Sequence, residues 1–310
     1  MLLLSGHFEE TYQAVLDAAE RGEIPESRLE ESVRRILRLK LSRLKDAGQQ
    51  ALSAELDDAS DPDLFRFVDV FGESYQTRID PAVPRAEYRA EGFDRYEERK
   101  IRYEDEQYTS RLGVDVSHHN GEIDWEAVRA AGYEFAFLRL GYRGYGAAGT
   151  MNLDKEFDRN VENARKVGLE VGVYFFSQAV NEEEAAEEAA FVIEHLRDHP
   201  IDLEVVYDPE SILDDEARTD HVSGEQFTKN SLVFCKLIEE AGYRPMIYSN
   251  MLWEAFEFTM SDLTDYPFWY ADYEPLPQTP YHFRYWQYDN QGTVPGIGGP
   301  ADLNLEFVRK

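Results

Sequence analysis

The chain has 310 residues, enough for one large barrel with attached segments or for about two domains of ordinary size. With 43% hydrophobic and 13% aromatic residues, its composition is typical of a folded globular protein and excludes a wholly disordered one. The 62 acidic and 32 basic residues give a net charge of -30, which opposes binding to nucleic acid or to an anionic membrane surface.

Two further features narrow the class of protein. The single cysteine, Cys235, excludes an internal disulfide and a zinc site built from thiolates. No apolar run approaches the roughly 20 residues of a membrane-spanning helix, and the opening MLLLSG is too short for a secretory signal. We expect no nucleic-acid partner, no membrane insertion and a monomeric chain.

Residues 1–47 predict a short apolar strand followed by amphipathic helices, because apolar residues recur at helical spacing in LEESVRRILRLKLSRL. The stretch over residues 1–46 resembles the end of the barrel domain of glycoside hydrolase family 3. The family's barrel and catalytic residues would lie before Met1, so the resemblance implies either a truncated remnant or a gene fragment whose true start is missing. No family 3 activity is carried over. An unrelated helical hairpin is the alternative.

Residues 48–110 predict an acidic linker that contains several tyrosines. Neither a period of 2 nor a period of 3.6 persists there, and prolines stand at positions 62, 81 and 84. We expect a linker with some helical pieces.

From residue 111 onward, short apolar runs alternate with helical patterns, which is typical of parallel strands joined by helices. The eight strand candidates span 113–117, 134–140, 170–176, 203–208, 245–249, 267–272, 283–288 and 302–307. Helical patterns cover 125–131, 154–167, 181–197, 224–241 and a short stretch near 251–258. The predicted fold class is α/β, a TIM-like barrel with five βα units and three further strands. A doubly wound open sheet is the alternative topology.

Four acidic residues fall at the strand ends where barrels of this kind carry their chemistry. Asp115 lies in the first strand, Asp208 and Glu210 close the fourth, and Asp302 opens the last. Residues two apart in an extended chain face the same side, so two carboxyls project into one mouth. Crowding disfavours ionising all of them together, so at least one of these acids should keep its proton near neutral pH. One protonated acid beside carboxylates is what glycoside cleavage requires.

Four motifs resemble the barrel signatures of glycoside hydrolase family 25, the N-acetylmuramidase lysozymes. They are GVDVSHHNGEIDW (113–125), VYDPE (206–210), WQYDNQGTVPGI (286–297) and ADLNLEF (301–307). The resemblance covers residues 111–310 and implies cleavage of the β-1,4 bond between N-acetylmuramic acid and N-acetylglucosamine in peptidoglycan. It implies Glu210 as general acid, Asp208 as its companion carboxylate, and Asp115 and Asp302 as flanking acids.

Sugar rings present apolar faces, so a glycan groove needs aromatic platforms with polar donors beside them. Candidates near the ends of predicted strands, matching groove positions of the family, are Tyr174, Tyr248, Trp269, Trp286 and Gln287. Core packing is the alternative for each aromatic residue. The adjacent His118 and His119 do not predict a metal site, since neighbouring strand residues face opposite sides and no third ligand follows. We expect no metal and no cofactor.

These observations predict a peptidoglycan hydrolase whose partner is the peptidoglycan glycan strand and whose setting is extracellular or the cell wall. A catalytically silent peptidoglycan-binding module is one alternative. A glycosidase of the same fold that acts on chitin-like glycans is another.

Overall fold

The computed structural model of the chain describes residues 61–97, 99–212 and 215–310. The segment predicted to resemble a family 3 barrel end lies outside the described residues, as does the first part of the predicted linker. Within the described part, no helix has the length and apolarity needed to cross a membrane.

Two β-hairpins occupy much of residues 61–110, where the sequence predicts a linker with helical pieces. The antiparallel pairs are β1 (Leu64–Val68) with β2 (Ser74–Arg78), and β3 (Phe93–Tyr96) with β4 (Lys100–Tyr103). The linker prediction is wrong here because strands of 4 or 5 residues are too short to show a period. Phe65, Phe67 and Ile101 are nonetheless buried in the same core as the barrel that follows.

Eight strands form a closed barrel. In chain order they are β5 (Tyr108–Val116), β6 (Phe135–Arg143), then, after the short β7 (Met151–Leu153), β8 (Glu170–Ser177), β9 (Val205–Pro209), β10 (Pro245–Asn250), β11 (Phe268–Ala271), β12 (Tyr285–Gly292) and β13 (Ala301–Arg309). Strand β7 pairs only with β6, outside the ring. The ring closes because β5 pairs with both β6 and β13, which confirms the predicted barrel and excludes the open sheet.

The connections also follow the predicted pattern. Four α-helices lie between the early strands: α1 (Trp125–Ala130), α2 (Phe157–Lys166), α3 (Glu182–Leu196) and α4 (Gly224–Glu240). Asp124, Asn181 and Ser223 start α1, α3 and α4, because each side chain accepts a backbone N–H of the first turn. After β10 only short helical turns follow, and the last three strands are joined without α-helices.

Aromatic side chains fill the barrel interior. Phe137 stacks on Trp269 with ring centroids 4.8 Å apart, and Tyr285 meets Phe137 edge-on. A side chain at Gly172 would bring a Cβ within 2.4 Å of the Phe137 ring, so the strand needs glycine there. This layer of packed side chains fills the barrel interior below the carboxyl ends of the parallel strands.

The opposite end of the barrel carries a network of ion pairs, here called the basal network. Its two buried acids are Glu204, which precedes β9, and Glu306 in β13. Arg284 donates to Glu204 at 2.6 Å and to Glu306 at 3.0 Å, and Arg111 donates to Glu306 at 2.8 Å. The Tyr285 hydroxyl lies 3.0 Å from both carboxyls.

Candidate active site

The four predicted acids meet at the mouth of the barrel. Asp115 and Asp208 lie near the ends of parallel strands β5 and β9, and Glu210 follows β9 directly. Strand β13 runs antiparallel to its neighbours, so its first residues lie at the same rim, and Asp302 pairs in register with Asp115. The barrel thus brings together residues that are far apart in sequence.

Asp208 and Glu210 are interacting carboxyls, and the repulsion between their charges favours one proton between them. Burial raises the pKa of Glu210 to about 7. The pKa of Asp208 is raised well above its usual range by burial, by the Glu210 charge and by Asp115. Asp208 is 4% exposed, and its Oδ1 has no hydrogen-bond partner among the described residues, whereas Glu210 is half-buried. Ionisation is therefore less favourable for Asp208 than for Glu210, so the shared proton lies on Asp208. The resemblance instead implies Glu210 as the acid.

In the second pair, Asp115 and Asp302, the two carboxyls differ in how far their pKa values are raised. The Asp115 Oδ2 accepts the amide N–H groups of Gln287 at 2.9 Å and Asn304 at 2.7 Å. Burial raises the pKa of Asp115 to about 6, and these hydrogen bonds limit the rise. Burial, the Asp115 charge and a hydrogen bond to Asp115 raise the pKa of Asp302 to about 9. Near neutral pH, Asp115 is the ionised member of this pair.

Amide side chains fix the orientation of Asp115. The Oε1 atom of Gln287 accepts the hydroxyls of Tyr248 and Tyr273, each at 2.9 Å, so its amide nitrogen faces Asp115. Asn304 is held in the same way, since its Oδ1 accepts the Trp269 indole N–H at 2.8 Å. Tyr273 and Asn304 are not among the residues predicted from the sequence. Asn304 lies two residues after Asp302 in one strand. Residues at that spacing face the same side of a strand, so the spacing could have predicted Asn304 at the mouth.

The two predicted tyrosines, Tyr174 and Tyr248, line the mouth of the barrel. Tyr174 is half-buried and meets the Trp269 ring edge-on at 5.9 Å, and Tyr248 meets it at 4.9 Å. Trp269 itself is only 1% exposed and lies in the interior layer. It offers no face to a sugar, so core packing, the alternative reading of this residue, describes it better.

Trp286 does not face the mouth, and its predicted place in a glycan groove is wrong. The indole N–H donates to the Asp272 carbonyl at 2.8 Å, and the ring packs edge-on against Phe93 of β3 at 5.6 Å. Adjacent strand residues face opposite sides, so Trp286 points outward because Gln287 points inward.

A cation that the sequence analysis did not single out lies beside the acids. Arg139 of β6 pairs in register with Tyr174, and its charge lowers the pKa of Asp208 against the larger effect of burial. Its Nε donates to Asp154 at 2.9 Å, and the same carboxylate is 3.0 Å from the His118 ring nitrogen. In the part of the chain that the structure describes, no group of three or more His, Cys, Asp or Glu side chains is arranged to hold a metal ion.

A closed barrel with paired carboxyls at its mouth can supply the acid and the carboxylate that glycoside hydrolysis requires. The family model described as glycosyl hydrolases family 25 matches residues 114–297, more than half of the chain. The chain belongs to this family and is a glycoside hydrolase.

Curated relatives and solved structures agree with this assignment. The uncharacterized protein YegX of Escherichia coli K12 is 28% identical over 202 residues, covering 62% of this chain and 68% of YegX. The autolytic lysozyme of Clostridium acetobutylicum is 25% identical over 195 residues, covering 62% of this chain and 54% of that protein. A family 25 glycosyl hydrolase from Bacillus anthracis has the same fold, with a TM-score of 0.52, 24% identity, and coverage of 63% of this chain and 88% of that one.

Proposed function

We propose that the chain is an N-acetylmuramidase that hydrolyses the β-1,4 bond between N-acetylmuramic acid and N-acetylglucosamine in peptidoglycan. Membership of family 25 and the similarity to a protein named autolytic lysozyme support this substrate. The observation that carries the proposal is the pair of interacting carboxyls, Asp208 and Glu210, at the end of β9 in the barrel mouth. Such a pair supplies a carboxylic acid and a carboxylate within reach of one glycosidic bond.

Glu210 is the general acid in this proposal. It is the half-buried and therefore more accessible member of the pair, and its pKa of about 7 keeps a proton available near neutral pH. A general acid is most effective when its pKa lies near the working pH.

Asp208 prepares Glu210 for this role by binding the substrate's acetamido group. The Oδ1 of Asp208 is a buried acceptor with no hydrogen-bond partner in the part of the chain that the structure describes, and an acetamido N–H is a donor that satisfies it. That hydrogen bond stabilises ionised Asp208, so the shared proton moves to Glu210 when the N-acetylated sugar binds.

Cleavage then proceeds through the acetamido group. The acetamido oxygen attacks the anomeric carbon, the bond to the leaving oxygen breaks, and the proton of Glu210 passes to that oxygen. Water next attacks the anomeric carbon, the bond to the acetamido oxygen breaks, and Glu210 recovers a proton from the water. Ionised Asp115 stabilises the positive charge that develops at the sugar, and Asp302 hydrogen-bonds Asp115.

The proposed substrate also defines partner and setting. Peptidoglycan glycan strands are the proposed partner, the site of action is extracellular or in the cell wall, and the enzyme acts as a monomer. Tyr174 and Tyr248 line the mouth where the sugar chain binds.

Reducing-end release from purified peptidoglycan, compared with chitin oligomers, tests the proposal. We expect cleavage of peptidoglycan that leaves N-acetylmuramic acid at the new reducing end. Faster cleavage of chitin would indicate a glycosidase for another N-acetylated glycan, and binding without cleavage would indicate a silent module. Trapping of a covalent sugar on Asp208, detected by mass spectrometry, would contradict the acetamido route.

A further inference from the structure

The loop after β11, residues 272–278, is tied to the N-terminal hairpin β1–β2. The side chain of Gln278 binds both backbone groups of Val68: its Oε1 accepts the Val68 N–H at 2.8 Å, and its Nε2 donates to the Val68 carbonyl at 2.9 Å. Because the Gln278 amide pairs with both the backbone N–H and the carbonyl of Val68, it extends the hydrogen-bond pattern of the hairpin. It thereby fixes the position and the orientation of the loop.

The same glutamine closes the loop on itself. Its Nε2 also lies 3.2 Å from the Asp272 Oδ1, and its backbone N–H donates to the Asp272 Oδ2 at 2.8 Å. The Tyr270 hydroxyl donates to that carboxylate at 2.9 Å from within β11. Both ends of the loop are therefore held, one by the barrel and one by the hairpin.

Tyr273 is carried by this loop and reaches the catalytic mouth. Its hydroxyl donates to the Gln287 Oε1 at 2.9 Å, and Gln287 in turn donates to Asp115 at 2.9 Å. Its side chain is 36% exposed, which leaves ring surface available to a ligand at the mouth. A continuous path of hydrogen bonds and covalent bonds thus runs from the hairpin to Asp115.

We propose that hairpin β1–β2, acting through Gln278, positions Tyr273 as a further sugar-contacting residue and thereby sets the orientation of Asp115. The ring of Tyr273 packs against a sugar of the N-acetylated glycan, while its hydroxyl holds Gln287 in the orientation that serves Asp115. The hairpin precedes the segment that matches the family model, residues 114–297. This inference rests on the proposed glycan hydrolysis.

A double-mutant cycle on the full chain tests the path. Gln278→Ala lowers kcat/KM by about tenfold, within the range of coupling energies measured for connected residues. Tyr273→Ala lowers it by about the same factor or more and raises KM. In the Tyr273→Ala background, Gln278→Ala has less than a twofold further effect, since its influence passes through Tyr273. Full multiplication of the two effects would overturn the proposal.

Two variants separate positioning from general stability. Tyr273→Phe keeps the ring and removes the hydroxyl, so kcat falls while KM stays within twofold. Gln226→Ala is the matched control, because this α4 glutamine bonds the Asn230 side chain at 2.8 Å and does not belong to the path. It leaves kcat/KM within twofold. An equal loss in Gln226→Ala and Gln278→Ala would mean that the effect is one of stability alone.

Hydrogen exchange provides a readout that needs no activity. In Gln278→Ala, amide exchange within residues 272–278 becomes faster than in the unsubstituted chain, and unchanged exchange there would remove the structural basis of the proposal. A chain that cleaves no N-acetylated glycan overturns the proposed function, whereas independent effects in an active enzyme overturn only the role of the hairpin.

Discussion

The two ends of the barrel both bury carboxyl groups but treat them in opposite ways. At the base, Glu204 and Glu306 are bound by arginine side chains, with Arg284 bridging the two. At the mouth, Asp208 lies beside the like charge of Glu210, and Asp115 is bonded to neutral amides.

This difference shows how one barrel assigns structural and reactive roles to the same residue types. A buried carboxylate beside arginine is matched by an opposite charge and serves as an anchor. A buried carboxyl beside another carboxyl retains a proton, which it can donate. Burial alone therefore does not identify a catalytic acid, and the nature of the nearest partner does.

The largest effect is expected from removing the transferable proton at the mouth. Glu210→Gln keeps the shape but abolishes general acid catalysis, so the rate of peptidoglycan cleavage falls by about 10² to 10⁴. Asp208→Asn lowers the rate as well. In the unsubstituted enzyme, kcat/KM falls as the pH rises above neutral, because the Asp208 and Glu210 pair then loses its last proton. Reducing-end assays measure both effects, and a rate for Glu210→Gln equal to that of the unsubstituted enzyme would exclude Glu210 from the mechanism.

The base is expected to respond in stability rather than in rate. Arg284→Met removes the bridge between Glu204 and Glu306 and leaves buried charge with fewer partners, at a cost of about 2–4 kcal/mol in the free energy of unfolding. Urea titration measures this loss. The control is Lys229→Ala, which breaks an exposed pair with Glu225 and changes stability by less than about 0.5 kcal/mol. Equal losses in both variants would contradict the contrast.

Charge at the mouth makes stability depend on pH. An aspartate in an unfolded chain titrates near about 4, whereas the pKa of Asp302 in the folded chain is about 9. The stabilising contribution is therefore complete below about pH 4 and is lost as the pH rises toward 9. Asp302→Asn cannot ionise, so we expect it to be more stable than the unsubstituted chain by about 1–2 kcal/mol at pH 8 and equal to it at pH 4.

Urea titrations at the two pH values check this, with Asp94→Asn as a matched control. Asp94 forms an exposed pair with Arg102, so its substitution has little effect at either pH. If the difference in unfolding free energy between Asp302→Asn and Asp94→Asn is the same at both pH values, then Asp302 is not protonated in the folded chain.

The smallest effect is expected at Trp286. Trp286→Phe loses the hydrogen bond to the Asp272 carbonyl and some packing against Phe93, which lowers stability by about 1 kcal/mol and leaves kcat/KM within twofold. Thermal unfolding and steady-state kinetics on one preparation measure both. A rise in KM without a loss of stability would instead show that Trp286 contacts the substrate in the groove.

Much of the barrel could be predicted from the sequence, because its strands are apolar runs separated by helical patterns with clear starts. The four acids could be placed because strand ends in such barrels meet at one mouth. Trp286 was misplaced although the rule that corrects it is local: adjacent residues such as Trp286 and Gln287 cannot both face inward.

Other features depend on contacts that no local pattern encodes. Hairpin β1–β2 consists of short strands whose apolar side becomes recognisable only against the barrel. The place of Tyr273 depends on Gln278 and on the backbone of Val68, 210 residues away from that glutamine. The location of the shared proton depends on the burial of Asp208 relative to Glu210, which spacing cannot supply.

Strand β13 has a consequence for damaged copies of the gene. It supplies Asp302 to the mouth, Asn304 to the support of Asp115, and Glu306 to the basal network. A premature stop codon anywhere before position 301 therefore removes a mouth carboxyl and a basal anchor together and leaves the ring open. We expect such truncated products to be inert rather than partly active.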